Sequence, residues 1–323
     1  MAAGAGFASR IAGAPISWGV CEVPGWGVQL SADRVLAEMR ALGLTATERG
    51  PAGFLPGDPE EAGGLLARSG LHLVGGFVPA VLHHDASGDT EGGTGTGTGT
   101  GADAEGEDGG GWEEALELAA AALVAGGAEV LVLAAATGDS GYDQRNGTGA
   151  ELGEQAWATL LGNLTRAEER CQAHGLALAL HPHAGTVIER RAEVERLLAG
   201  SPVRLCLDTG HLLIGGTDPV MLARSVPERI AHVHLKDVDA TLAKRVEAGQ
   251  VGYTDAVRQG LYRPLGQGDI DLTAIVAALE GSGYSGWYVL EQDTVLTDEP
   301  PPGDGPMADV RASLDYLRSL PGP

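Results

Sequence analysis

Three cysteines are all that 323 residues contain: Cys21, Cys171 and Cys206, an odd number with no CxxC spacing. Neither the count nor the spacing suggests a disulfide framework, and a reducing, cytoplasmic setting is expected. Basic residues are also scarce, with 21 Lys and Arg against 44 Asp and Glu and a formal charge of -23. Phosphate contacts need a basic face, so neither nucleic acid nor an anionic membrane is expected as a partner. Long apolar runs are missing too. The longest, Leu118 to Ala128, stops at Glu129, well short of the ~20 residues of a membrane span. The start, Met1-Ala-Ala-Gly-Ala-Gly-Phe7, has no basic n-region and no apolar core, so no signal peptide is expected. No GxGxxG and no P-loop lysine motif follows a candidate strand, which argues against a nucleotide-binding open sheet.

What the chain does have is a series of short branched-apolar runs that end in titratable side chains. Val203-Arg-Leu-Cys-Leu-Asp-Thr-Gly-His211 and Ile230-Ala-His-Val-His-Leu-Lys-Asp-Val-Asp239 read as two buried strands with functional tips. Between them, Asp218-Pro219 opens a helix that runs to Arg224. A strand, crossover helix, strand unit places both tips on the same edge of a parallel sheet. The pattern recurs. Strands are expected at Ile11, Leu44–Glu48, Leu71–Val78, Glu129–Ala136 and Leu176–Leu180, then the central pair, then Trp287–Glu291. Helices are expected over Ser31–Gly43, Glu60–Ser69, Trp112–Gly126, Glu151–His174, Glu189–Ala199, Thr254–Gln259, Asp271–Glu280 and Met307–Leu320. Eight alternating units predict a single (β/α)₈ TIM barrel over residues 1–323. A Thr/Gly-rich acidic stretch at 85–111 cannot bury a core and reads as a mobile surface insertion.

In such a barrel the strand tips supply the site. Reading only tips gives Glu48, His181 with His183, Asp208 with His211, His232 with His234 and Lys236, and Glu291 with Asp293. Mixed imidazole and carboxylate donors suit Mn²⁺, Fe²⁺, Co²⁺ or Zn²⁺ rather than Ca²⁺. His232 and His234 share a side of their strand, as do Val233 and Leu235. The apolar pair suits the layer beneath the helices, so the histidines are expected to face inward. His232 lies deeper and can serve to orient a neighbour. Glu22 and Trp26, in the loop after the first strand, read equally as a cap on the pocket or as ordinary loop residues.

These residues carry a resemblance. His181-Pro-His183, Asp208-Thr-Gly-His211, His232-Val-His-Leu-Lys-Asp237 and Leu290-Glu291 resemble the xylose-isomerase-like barrel superfamily of sugar isomerases, epimerases and dehydratases. More narrowly, Ala14-Pro-Ile-Ser-Trp-Gly-Val-Cys-Glu22, Gly53-Phe-Leu-Pro56, His183-Ala-Gly-Thr186, Tyr262-Arg-Pro-Leu-Gly266 and Tyr288-Val-Leu-Glu-Gln-Asp293 resemble the inosose dehydratases of myo-inositol catabolism. The resemblance implies a divalent metal, Mn²⁺ or Co²⁺ first, with Zn²⁺, Fe²⁺ and Mg²⁺ as alternatives. Its ligands would be Asp208, His234, Glu291 and a residue of the fifth strand. That position is Glu in the superfamily and His181 here, with His183 two residues on, which leaves the fourth ligand open and removes one glutamate of the epimerase pair. The implied reaction is loss of water from scyllo-inosose to give a trihydroxycyclohexane-dione. His183 or Glu48 would take the α-proton, and His211 or Lys236 would protonate the departing hydroxyl. Trp18, Glu22, His232 and Asp237 are the expected substrate contacts. An isomerase or epimerase acting on a sugar, inosose or sugar phosphate through the same metal is the alternative. A small polyol or keto-sugar is the expected partner. A homo-oligomer is compatible with the barrel, but no stripe of residues marks an interface.

Overall fold

The computed structural model describes residues 6–84, 111–138 and 152–320. The expected insertion at 85–111 lies outside them except for Gly111, as does Glu151, the expected start of the fourth helix. The chain begins with β1 (Ile11–Gly13), α1 (Ala32–Ala41), β2 (Ala46–Glu48), α2 (Pro59–Ser69) and β3 (His72–Ala80). Then follow α3 (Trp112–Ala125), β4 (Val130–Ala135), α4 (Glu154–Ala173), β5 (Ala177–Leu180), α5 (Arg191–Gly200) and β6 (Leu205–Asp208). Next come α6 (Thr209–Ile214), α7 (Pro219–Ser225), β7 (Ile230–Leu235), β8 (Asp237–Val238), α8 (Ala240–Glu247), α9 (Tyr253–Arg258) and β9 (Tyr262–Arg263). The chain closes with α10 (Leu272–Gly281), β10 (Tyr288–Leu290) and α11 (Pro306–Ser319).

Eight strands form a closed, all-parallel barrel in the order β1-β10-β7-β6-β5-β4-β3-β2. The remaining two, β8 and β9, pair antiparallel as a small ribbon beside it. Strand alternation divides the core into two layers. Leu131, Leu133, Leu205, Leu207, Val233, Leu235, Tyr288 and Leu290 join the large cluster shared with the helices. Ala12, Ala46, Val74 and Val289 form one inner group, and Val132, Ala179 and Cys206 another. The small inner residues leave room at the strand tips for larger polar ones.

Helix starts follow capping chemistry. Asp58 accepts from the Glu61 amide at 2.9 Å, Asp218 from Val220 at 2.9 Å, Asp239 from Thr241 at 2.9 Å and Asp271 from Ala274 at 2.9 Å. Each such cap stabilises its helix by about 1 kcal/mol. Three elements have no counterpart in the sequence reading: α6, α8 and the β8–β9 ribbon. Residues Thr209–Ile214 contain Gly210 and follow a strand directly, so nothing local announces a helix there. The helix forms because the Asp208 carboxylate accepts from the His211 amide at 2.8 Å. Among the described residues, no helix is long and apolar enough to cross a membrane.

Candidate active site

The tips of β2, β5, β6, β7 and β10 meet at the C-terminal end of the barrel, the end that carries the site in this architecture. Because Val233 and Leu235 pack outward, His232 and His234 face inward, and the same alternation continues to Lys236. Cys206 and Asp208 do the same in β6, and Val289 and Glu291 at β10.

Asp208, His234 and Glu291 form the centre, with donor atoms within 4.8 Å of one another. His234 Nδ1 is buried and makes no hydrogen bond among the described residues. It lies 3.1 Å from Glu291 Oε2 and 3.5 Å from Asp208 Oδ2. Donors that share one ion at about 2.0–2.2 Å stand roughly 3–4.4 Å apart. The set therefore fits a divalent cation, and one imidazole with two carboxylates favours the borderline transition metals. His181 Nε2 touches Asp208 Oδ2 at 3.2 Å. It groups with Asp208 and His211, or with Cys206 and His234, rather than with Glu291.

Lys236 completes the cluster. Its Nζ lies 3.2 Å from Asp208 Oδ2, 3.1 Å from Glu291 Oε2 and 2.9 Å from Asp293 Oδ1. The ammonium thus touches the same two oxygens that face His234 Nδ1. Asp293 in turn accepts from the Tyr253 hydroxyl, which bonds Tyr262 at 2.8 Å. Burial by itself would lower Lys236, but Asp208, Asp293 and Glu291 outweigh it and hold its pKa well above the usual lysine value. Burial would raise Asp208, but Lys236, His211, His181 and His234 hold it well below the carboxylate range. Glu291 is likewise lowered against burial by His234 and Lys236. His234 moves well above the ordinary imidazole value, against burial, because Cys206, Glu291, Glu48 and Asp208 surround it. Carboxylates that retain a proton on His234 also attract a metal cation in its place.

Two further histidines stack beside the cluster. The His183 and His211 ring centroids are 3.8 Å apart, and Tyr253 stacks on the far side of His211 at 5.7 Å. Burial pushes both imidazoles well below their ordinary pKa. His183 Nδ1 lies 2.7 Å from the Ala184 carbonyl, so that nitrogen carries the hydrogen and Nε2 the lone pair. His211 Nδ1 accepts from the Ala184 amide at 3.3 Å, which assigns its hydrogen to Nε2.

A cavity of about 460 Å³ opens onto these groups, a size suited to a small organic molecule. Glu22, Glu48, His181, His183, His234, Lys236 and Glu291 line it, and so does Trp26. Asp293, read from the sequence as a strand-tip candidate, also lines it, as do Arg49, Phe77 and Tyr253, to which the sequence reading assigned no role. Arg49 directly follows Glu48 at a strand tip, a signal that was available. Tyr253 belongs to the long excursion after β7, whose position relative to the barrel has no sequence signature.

Three expected substrate contacts lie elsewhere. Trp18 is fully buried, and its Nε1–H donates to Glu38 Oε2 at 2.8 Å. Trp18→Ala is expected to destabilise the fold by about 3–5 kcal/mol, read from urea unfolding; a loss below ~1 kcal/mol would contradict this packing. Asp237 faces away from Lys236 and accepts from the amides of Gly266, Gly268 and Ile270 at 2.9, 2.9 and 3.1 Å. It clamps the segment after β9, and a Cβ on Gly268 would overlap its carboxylate. His232 is fully buried beneath the cavity, bonded to Glu48 Oε1 at 2.8 Å. Asp208 and His211 also lie just behind the lining, both almost fully buried. Outside the site, His174 bonds Glu117 at 2.6 Å and His72 packs edge-on against Trp287 at 5.1 Å.

A closed eight-stranded parallel barrel with a mixed imidazole and carboxylate cluster at its C-terminal mouth defines a class, and sequence comparison agrees with it. The chain belongs to the xylose isomerase-like TIM barrel family, whose pattern matches residues 36–320. Within that family it is 34% identical over 318 residues to an inosose dehydratase from Geobacillus kaustophilus, spanning 96% of this chain and 94% of that one. It is 30% identical over 287 residues to the rhizopine catabolism protein MocC of Rhizobium meliloti, spanning 88% of this chain and 81% of that one. Among solved structures, an L-ribulose 3-epimerase shares the fold at TM-score 0.62 and 16% identity, covering 96% of this chain and 95% of that one. The IOLI protein with a binding zinc atom does so at TM-score 0.63 and 14% identity, covering 96% and 99%.

Proposed function

We propose that this protein is a divalent-metal-dependent hydro-lyase that removes water from a keto-cyclitol, scyllo-inosose, in inositol catabolism. The observation that carries the reading is the unbonded, buried His234 Nδ1 facing Asp208 and Glu291 beside the cavity. The name and near-complete coverage of the Geobacillus relative support the substrate and reaction. The zinc-bearing structural relative is consistent with a metal in this fold.

A cation held by Asp208, His234 and Glu291, with His181 as the fourth candidate, would supply Lewis-acid polarisation of a ketone oxygen. Proton transfers fall to the side chains. Neutral His183 lines the cavity with its hydrogen on Nδ1, and we assign it the proton from the carbon beside the ketone. Lys236 reaches the cavity with an ammonium and donates to the β-hydroxyl as it leaves. His211 stacks behind His183 and keeps that ring in plane. Glu22 and Trp26 line the cavity, with the Trp26 indole N–H donating to the Thr294 carbonyl at 2.8 Å just beyond the β10 tip, and are proposed to contact the polyol.

The test is an absorbance assay of metal-stripped protein with scyllo-inosose, before and after adding Mn²⁺, Co²⁺ or Zn²⁺. Growth of a dione chromophore only in the presence of metal is the expected result. Conversion to an epimer or ketose without water loss would replace this reading with the isomerase one.

A further inference from the structure

We propose that Glu48 is a positioning residue: anchored by His232, it orients the His234 ring so that Nδ1 faces Asp208 and Glu291. The inference rests on reading those three residues as a cation-binding set. It also departs from the proton-transfer role that the strand-tip position of Glu48 suggests.

Glu48 Oε1 lies 2.8 Å from His232 Nε2 and 3.1 Å from His234 Nε2. An ionised carboxylate only accepts hydrogen bonds, so both Nε2 atoms carry hydrogen. A neutral His234 ring then has its lone pair on Nδ1, the atom 3.1 Å from Glu291 Oε2 and 3.5 Å from Asp208 Oδ2. The order carboxylate, imidazole, cation site is a general way to fix ring orientation and raise ligand basicity.

The surroundings support this arrangement. Glu48 is 4% exposed and His232 0%, so His232 does not reach the cavity and has Glu48 as its acid partner. Gly75 of β3 lies alongside, where an added Cβ would stand 3.4 Å from Glu48 Oε1, 3.7 Å from the His232 ring and 3.2 Å from the Val130 carbonyl. With two imidazole donors on one oxygen, Glu48 is a poor acceptor for a substrate proton.

The experiment titrates Zn²⁺ alone into metal-stripped wild type, Glu48→Ala and Glu48→Gln, with thermal melting to check folding. Glu48→Ala is expected to weaken Zn²⁺ binding about 10–100-fold. Glu48→Gln keeps an accepting oxygen and should lose less than about tenfold. A second measurement needs no variant: nitrogen NMR of ¹⁵N-histidine-labelled, Zn²⁺-loaded wild type should show His234 bound through Nδ1 with a slowly exchanging Nε2–H. Equal Zn²⁺ affinity in wild type and Glu48→Ala, or His234 bound through Nε2, overturns the inference alone. A wild type that binds no Zn²⁺ overturns the cation reading and this inference with it.

Discussion

Asp208→Asn is expected to lower kcat/KM for scyllo-inosose by about 10³-fold or more, the several kcal/mol that Lewis-acid stabilisation supplies. The substitution isolates charge from structure. Asp208 is fully buried, and its Oδ1 caps α6 through the His211 amide at 2.8 Å, a task that asparagine performs equally well. Its Oδ2 faces Lys236 at 3.2 Å, His181 at 3.2 Å and His234 at 3.5 Å. Those contacts need the negative charge. Circular dichroism should therefore show a folded barrel, while titration with Mn²⁺ or Zn²⁺ shows a large loss of affinity. An Asp208→Asn protein with wild-type turnover would refute the proposed cation set.

The barrel was legible because each strand carries its own signal. In Ile230-Ala-His-Val-His-Leu, alternation separates two imidazoles from Val233 and Leu235, and the structure keeps that division. Strand tips likewise picked out Asp208, His234 and Glu291, which the fold brings within 4.8 Å. What escaped depends on contacts between distant parts of the chain. Glu48 meets His232 across 184 residues, so no local pattern could tell a bound carboxylate from a free one. Trp18 sits next to a strand tip in sequence, but its direction is set by Glu38, 20 residues away. Asp237 differs from these, because alternation alone separates it from Lys236 and could have directed it out of the cavity. The α8 helix had its cap in Asp239 and apolar residues at Leu242, Ala243 and Val246, a pattern obscured by its charged neighbours.

The second large effect belongs to His183. His183→Gln is expected to lower kcat by about 10²–10⁴-fold, the contribution of a positioned base, with KM little changed. Glutamine can retain a hydrogen bond to the Ala184 carbonyl but has no basic nitrogen at the cavity. The pH profile supplies a second reading. Burial, reinforced by nearby His181 and Lys236, places the His183 pKa well below 6.5. A base works deprotonated, so a depressed pKa extends activity downward: the acid limb of kcat/KM should fall well below pH 6.5 instead of at it. Exchange of the substrate α-proton with deuterated solvent separates this step from loss of the hydroxyl. If His183 is the base, exchange and elimination fall together in His183→Gln. In Lys236→Met, by contrast, exchange should outlast elimination, because proton removal no longer depends on the missing acid. Persistence of both reactions in His183→Gln would assign the base elsewhere in the cavity. Glu48, with one oxygen committed to two imidazoles, would be a poor replacement.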